Sequence, residues 1–428
     1  MFQGTKDITR RNYEPFLFNP REIKYLFLTH AHIDHSGLIP KLVKQGFRGK
    51  IITTSATIDL CRIMLEDSGH IQEKDVEYEN KRRLRQGLKP RLPLYTIKDA
   101  KASFKFFKKI EYNQLTKITP NISVRYNDAG HIIGSAIIEM FINENGKDKK
   151  LVFSGDLGQW DVPIVKNPTL IKEADFVMIE STYGDRLHEK VTKRDELLLK
   201  HAKETYQKGG RLLIPSFAIE RTQELLYAFN KLIKAGKFPK ERIFLDSPLA
   251  IKATEVFKRH KDLFDKEAMA KYPNPFSFKN LVYTSSTADS IKLNTLKEPC
   301  IIIAGSGMCN AGRIKHHLKH GLWNKKNTVL FVGYQAKGTL GRYILRGEET
   351  VRMMGTTVVV KADIEKINAF SAHADYKELI KWMNGFVRKP KKVYICHGEE
   401  ASSNAFKQRL KKLGFKCHVP DIGEKLEL

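Results

Sequence analysis

A short apolar run, Tyr25 to Thr29, passes without a break into His-Ala-His-Ile-Asp-His at positions 30–35. This junction constrains the chain more than any other stretch. The run is apolar and bounded, which reads as a buried strand, so the residues after it emerge at the mouth of a sheet. Side chains two apart in an extended segment point the same way. The alternation therefore gathers His30, His32 and Asp34 toward one point, with His35 swinging in at the turn. Four ligand-type side chains within six residues are more than one tetrahedral zinc with an open position uses. They suit two metals sharing a cavity, whereas a merely solvated loop has no use for this pattern.

Further ligand-type residues stand in similar settings. His131 lies in DAGHIIGS between two expected strands, Asp156 closes the apolar run LVFSGD, and His397 closes VYICHGE. Each is a polar residue at the end of a buried strand, where loops build sites. Beside the HAHIDH segment, the coincidence favours ligands over isolated structural residues. His188, His201, His260, His316, His317, His320 and His418 have no such setting and read as surface or helix-face residues.

The elements around these motifs change style along the chain. Leu38 to Gln45 reads as a helix stopped by Gly46, Lys50 to Thr53 as a strand, and Ser55 as the cap of a helix ending near Ser68. The basic stretch from about His70 to Lys108 reads as a solvated linker. Strands are expected at 122–126, 135–142, 150–153 and 176–179. From about Asp185, longer helices alternate with the apolar strands RLLIP, RIFLD, CIIIAG and TVLFVG, the pattern of a parallel sheet covered by helices. After about Val360 the first style returns, ending with a strand at 392–396 and a helix around 404–412.

HAHIDH, a GH, a GD and a late GH in this order resemble the metallo-β-lactamase superfamily. ESTYGDR (Glu180 to Arg186), FSAHAD (Phe370 to Asp375) and CHGE (Cys396 to Glu399) narrow the resemblance to its β-CASP branch. That branch includes the endonuclease subunit of the eukaryotic cleavage and polyadenylation machinery and its prokaryotic relatives. The resemblance implies an α/β fold: an αββα sandwich carrying an inserted β-CASP α/β domain with a mainly parallel sheet. It divides the chain into residues 1–184 and 371–428 for the sandwich and 185–370 for the insert. The branch normally opens with additional strands, so the N-terminal strands of the sandwich read as missing.

The same resemblance implies two Zn²⁺, with Mn²⁺ as an alternative. It assigns His30, His32 and His131 to one ion, Asp34, His35 and His397 to the other, and Asp156 to a bridge. Glu180 and His373 are then catalytic partners, the acid orienting the histidine toward the scissile phosphate. Phosphodiester hydrolysis needs an activated nucleophile, charge relief and a proton for the leaving oxygen. A histidine with a carboxylate partner meets the last need. Asp34 and Asp156 join the catalytic set through the metals. Ser371 in FSAHAD, Arg221 in SFAIERTQ, and Ser306, Gly307, Met308 and Arg313 in GSGMCNAGR are candidates for holding substrate. The last motif is a glycine-rich turn that can present N–H groups to an anion. It lacks the GK[ST] ending of a nucleotide-binding loop, so no nucleotide cofactor is expected.

Charge points to the substrate. The 428 residues hold 75 Lys and Arg against 48 Asp and Glu, a net +27, and such a surplus attracts polyanions. The family resemblance narrows this to single-stranded RNA as the expected partner, and implies endonucleolytic hydrolysis with 5′-to-3′ exonuclease activity as an addition. A DNA-processing nuclease of the same branch, an inactive RNA-binding scaffold, and a small-molecule hydrolase are the competing readings. The intact ligand set argues against a scaffold, and the charge argues against a small substrate. Five cysteines without a C-x-x-C pair suit a reducing cytoplasm. No apolar run long enough for a membrane is present. A homodimer is compatible with this pattern.

Overall fold

The computed structural model describes residues 1–3, 5–189, 193–238 and 241–428. Three short parallel strands, β1 (Tyr25–Phe27), β2 (Lys50–Thr53) and β3 (Phe107–Lys109), form a first sheet in the order 1-2-3. The chain then lays down β4 (Thr116–Thr119), β5 (Ile122–Asp128), β6 (Ala136–Glu144), β7 (Lys147–Phe153) and β8 (Phe176–Glu180). The next strands, β9 (Arg211–Pro215), β10 (Ile243–Leu245), β11 (Leu281–Tyr283), β12 (Cys300–Ala304) and β13 (Thr328–Phe331), alternate with helices. A hairpin of β14 (Thr350–Met353) and β15 (Thr356–Val359) precedes β16 (Asp363–Lys366), and β17 (Lys392–Cys396) and β18 (Cys417–His418) end the chain.

Two sheets pack face to face between helices. The second, seven-stranded sheet runs 18-17-8-7-6-5-4, so β17 returns beside β8, laid down more than two hundred residues earlier, and β18 adds at its edge. Ile52 of the first sheet meets Val124, Tyr126 and Ile138 of the second in one buried cluster, and the Tyr126 hydroxyl donates to Ile52 O at 2.8 Å. On the far face of the second sheet, Val177, Ile179, Val393 and Ile395 pack with Leu379 and Trp382 of helix Tyr376–Met383. Phe406 and Leu410 of helix Glu400–Lys412 join the same cluster. The outer face of the first sheet is closed by helices Ile39–Lys44, Ser55–Arg85 and Ile97–Ser103 through Leu42, Leu60 and Ala100. Helix, sheet, sheet and helix make the αββα arrangement.

The third sheet, 11-10-12-9-13-16, is parallel throughout. Its central strands are fully buried because both faces are covered. Alternate side chains divide between two cores: Leu212, Ile214, Ile301 and Ile303 enter one, while Leu213, Cys300 and Ile302 enter the other. That division follows from the two-residue period of a strand and explains the unbroken apolar runs.

Three expectations need correction. The helix begun at Ser55 continues to Arg85, so half of the supposed linker is helical. No Gly or Pro interrupts it between Gly69 and Gly87; Gly69 sits in the helix with its Cα face against the Thr96–Ile97 backbone. Glu77 pairs with Lys74 and Lys81 along the exposed face, as helical spacing allows. The style change after Val360 also comes later than expected, because β16 still belongs to the parallel sheet through β13. The hairpin β14–β15 has no counterpart in the expected elements.

Candidate metal centre

β5, β7, β8 and β17 all run in one direction, since β6 is antiparallel to both β5 and β7 while β7, β8 and β17 are mutually parallel. Their carboxyl ends therefore open on one edge of the sheet. His131 follows β5, Asp156 follows β7, Glu180 ends β8 and His397 follows β17. The loop after β1 joins this edge where Ala136 N donates to Thr29 O at 2.9 Å.

The loop divides its own ligands. His30 and His32 lie in extended chain, but residues Ile33–Ser36 form a helical turn, with His35 N and Ser36 N donating to His32 O. The two-residue alternation therefore stops at His32. Asp34 leaves the group of His30 and His32 and joins His35, which corrects the expectation that all three alternate residues converge.

Two donor sets result. His30, His32, His131 and Asp156 form one, and Asp34, His35 and His397 form the other; within each set the ligand atoms lie within 4.8 Å of one another. Asp156 stands between them. Its Oδ2 is 3.3 Å from His30 Nε2, 3.2 Å from His35 Nε2 and 3.7 Å from His131 Nε2, and its Oδ1 is 3.2 Å from His397 Nδ1. His32 Nδ1 and His131 Nε2 are 2.9 Å apart, and His35 Nε2 and His397 Nε2 3.1 Å apart. A tetrahedron with metal–nitrogen bonds of about 2.0–2.1 Å has edges of about 3.3–3.4 Å. The donor spacings, 2.9–3.7 Å, scatter around such edges. Ring nitrogens this close, with His30 Nε2 buried and without a hydrogen-bond partner, are what a cation site requires of protein atoms.

The surroundings prepare the ligands. His131 Nδ1 donates to Ala372 O at 2.9 Å, which leaves Nε2 with its lone pair facing His32. Burial and neighbouring imidazoles push the His30 and His131 rings below the usual imidazole range, and burial takes His32 to about 3. These rings are neutral donors at ordinary pH. Burial disfavours the charged forms of Asp34 and Asp156, but surrounding histidines hold both carboxyls well below their usual range.

Next to Asp156, His373 Nδ1 lies 3.3 and 3.2 Å from the two oxygens of Glu180 and 4.0 Å from Asp156 Oδ2. Glu180 is fully buried and also accepts from Leu157 N at 2.6 Å and Thr182 N at 3.3 Å. Burial opposes charge on His373, and the Glu180 carboxylate outweighs it, raising the ring above the usual imidazole range.

The structure brings together His30, His32, Asp34, His35, His131, Asp156, Glu180, His373 and His397. The six candidate substrate residues, which were not expected among the metal donors, lie outside these sets, and the Ser371 hydroxyl accepts from His373 N at 3.3 Å. Arg221 is buried and paired with Glu224. The Arg313 guanidinium is spent on Asp246 Oδ1 at 2.6 Å and on the carbonyls of Thr284 and Ser285. Ser306 Oγ closes its own turn on Ala311. Gly307 O and Met308 O accept from Gln335 and Gly341, and Ser371 O accepts from Gln159 at 2.6 Å.

Among the histidines read as surface or helix-face residues, some are buried, His201 included, or hold distant partners. His188 Nε2 donates to His373 O at 3.0 Å while its ring lies 4.4 Å from Tyr183. His317 is buried with Nε2 2.6 Å from Asp246. Single helical or loop histidines carry no local signal of such partners, which lie far away in sequence.

The chain is similar to known proteins over nearly its whole length. Residues 9–53 match the metallo-beta-lactamase superfamily, residues 222–344 the Beta-Casp domain, and residues 357–420 the Zn-dependent metallo-hydrolase RNA specificity domain. The chain is 35% identical over 427 residues to Ribonuclease TTHA0252 of Thermus thermophilus, covering 99% of this chain and 92% of that protein. It is 31% identical over 410 residues to an RNase J-like protein of Methanocaldococcus jannaschii, covering 94% and 88%. Transcription termination factor FttA of the same archaeon is 32% identical over 418 residues, covering 94% of this chain but only 63% of that longer protein. With nearly its whole length aligned and its strand-end donors converging at one sheet edge, the chain belongs to the β-CASP branch of the metallo-β-lactamase superfamily.

Proposed function

We propose that the protein is a two-zinc ribonuclease that hydrolyses phosphodiester bonds of single-stranded RNA. The observation that carries this reading is Asp156, whose carboxylate has four imidazole nitrogens within 3.2–3.7 Å. A carboxylate so surrounded suits a bridge between two cations. The names of the ribonuclease and RNase J-like relatives support RNA as substrate, as does the net charge of +27.

His30, His32 and His131 would hold one ion, Asp34, His35 and His397 the other, with Asp156 available to both; manganese can replace zinc at N and O donors. A pair of bound cations supplies an activated nucleophile at neutral pH and relieves charge on the phosphoryl oxygens. The protein's own residues do the rest. Glu180, fixed by two backbone N–H groups, accepts from His373 Nδ1 and so holds the ring in one tautomer. His373 carries the proton that the departing 3′ oxygen takes, which leaves 3′-hydroxyl and 5′-phosphate ends. The cut is endonucleolytic, and 5′-to-3′ exonuclease action uses the same groups. We assign residues 1–184 and 371–428 to the metal-bearing domain and 185–370 to an inserted domain. The five free cysteines suit the cytoplasm.

The test combines metal analysis with cleavage of labelled circular RNA by wild type and His373→Ala. Retained metal with lost cleavage is expected for the variant. Unchanged cleavage by His373→Ala refutes the acid role, and preference of the wild type for a matched DNA circle refutes RNA as substrate.

A further inference from the structure

We propose that Arg186, Arg342 and Lys366, together with the ring of Tyr334, form a subsite for a nucleotide of the RNA strand beside the one being cut. The inference rests on the ribonuclease reading and adds to it a place for the flanking chain. In open parallel sheets, ligands lie beyond the carboxyl ends of the strands. Lys366 is the last residue of β16 and pairs in register with Phe331, the last of β13. Tyr334 follows in the segment Gly333–Arg342, and Arg342 stands in the first turn of helix Leu340–Leu345 that ends it. These three groups therefore sit at the carboxyl edge of the third sheet.

Tyr183 connects that edge to the metal centre. Its ring centroid is 6.2 Å from that of His373 and 6.0 Å from that of Tyr334. The Arg186 guanidinium lies 5.8 Å over the same ring. From the other side, the Tyr334 hydroxyl donates to Glu399, two residues beyond His397.

The charge balance at this place is incomplete. Arg186 is engaged by Asp185 through two bonds of 2.8 Å. Among the described residues neither the Arg342 guanidinium nor the Lys366 ammonium donates a hydrogen bond, and Arg342 Nε is buried without a partner. Partial desolvation lowers Lys366 from the usual ammonium range; Arg186 and Arg342 lower it further, and only Glu189 opposes. Glu189 is itself committed, accepting from Asn368 N, Asn368 Nδ2 and Ala369 N at 2.6–2.9 Å. Cations held together against mutual repulsion, with unused donors, take an anion of matching size. A phosphodiester meets that need, and its base or sugar then lies against the half-buried Tyr334 ring, since stacking on tyrosine is indifferent to base identity.

The test measures RNA binding, in the metal-loaded His373→Ala background, by fluorescence anisotropy across a salt series. Lys366→Gln and Arg342→Gln are each expected to raise Kd for a single-stranded oligoribonucleotide by about fivefold or more at low salt. Each also flattens the dependence of log Kd on log salt by about 0.7, the value for one single-strand phosphate contact. Lys366→Arg restores both. Tyr334→Ala weakens binding with the slope unchanged, and Tyr334→Phe restores it. Lys297→Gln, an exposed lysine before β12 at the opposite end of the sheet, serves as the charge-matched control. Gln variants that match this control in Kd and slope overturn the subsite while leaving the ribonuclease reading intact. Metal-loaded His373→Ala protein with no further substitution that binds no RNA overturns both.

Discussion

Replacing Glu180 by glutamine breaks the proposed acid at its support. The carboxylate receives three donors: Leu157 N at 2.6 Å, Thr182 N at 3.3 Å, and His373 Nδ1 at 3.2–3.3 Å. Only a carboxylate offers two accepting oxygens there. The amide keeps one oxygen, which Leu157 holds, and turns an NH₂ group toward Thr182 and His373. The neutral ring then accepts at Nδ1 and moves its proton to Nε2, and the imidazolium form loses its buried partner. Because burial opposes charge on His373 and Glu180 is what outweighs it, the protonated population at neutral pH falls. General acids contribute about 10²–10⁴ in rate, and removing the support without the histidine should cost about 10²–10³, or about 3–4 kcal/mol at 1.36 kcal/mol per tenfold. Single-turnover cleavage of labelled RNA, with metal content measured on the same sample, is the assay. A rate within about threefold of wild type at full metal content refutes the reasoning, and metal loss would instead make Glu180 a ligand.

Other perturbations separate metal binding from folding. Asp156→Ala removes the carboxylate shared by both donor sets, so metal analysis should show both ions depleted and cleavage lowered by at least about 100-fold. A Cβ on Gly158 would lie 1.7 Å from Gly130 O, so Gly158→Ala must displace the loop that carries His131. A loss of about 1–3 kcal/mol in urea unfolding, together with weaker metal retention, is expected; an unchanged midpoint refutes it. Asp246→Asn leaves Arg313, His317 and Ser290 short of an acceptor at a buried site and should cost about 3–5 kcal/mol. Burial pushes the Asp246 carboxyl up, but bonds from His317, Ser290 and Arg313 outweigh it and hold it below its usual range. Its stabilisation is therefore present above the unfolded-state value and is lost as pH falls through the folded-state value. The gap between wild type and variant, read by denaturation across pH, should narrow in acid.

Local chemistry made a large part of this protein legible from its residues. Strands Lys50–Thr53, Arg211–Pro215 and Lys392–Cys396 coincide with their apolar runs, because a strand buried on both faces admits little else. The donor types at 30–35, 131, 156 and 397 were equally plain, since nitrogen and oxygen ligands at strand ends advertise themselves. Residue spacing alone did not tell which donors meet; the family resemblance divided them, and the tertiary structure supplies the physical reason. One helical turn at Ile33–Ser36 parts Asp34 and His35 from His30 and His32, and a strand returning late sets His397 3.1 Å from His35, 362 residues away. The same holds for His188 against His373 and for Arg186 and Tyr334 against Tyr183. Periodicity and residue type act over a turn or a strand, whereas these contacts depend on how sheets pack and chains cross, which no short window of sequence encodes.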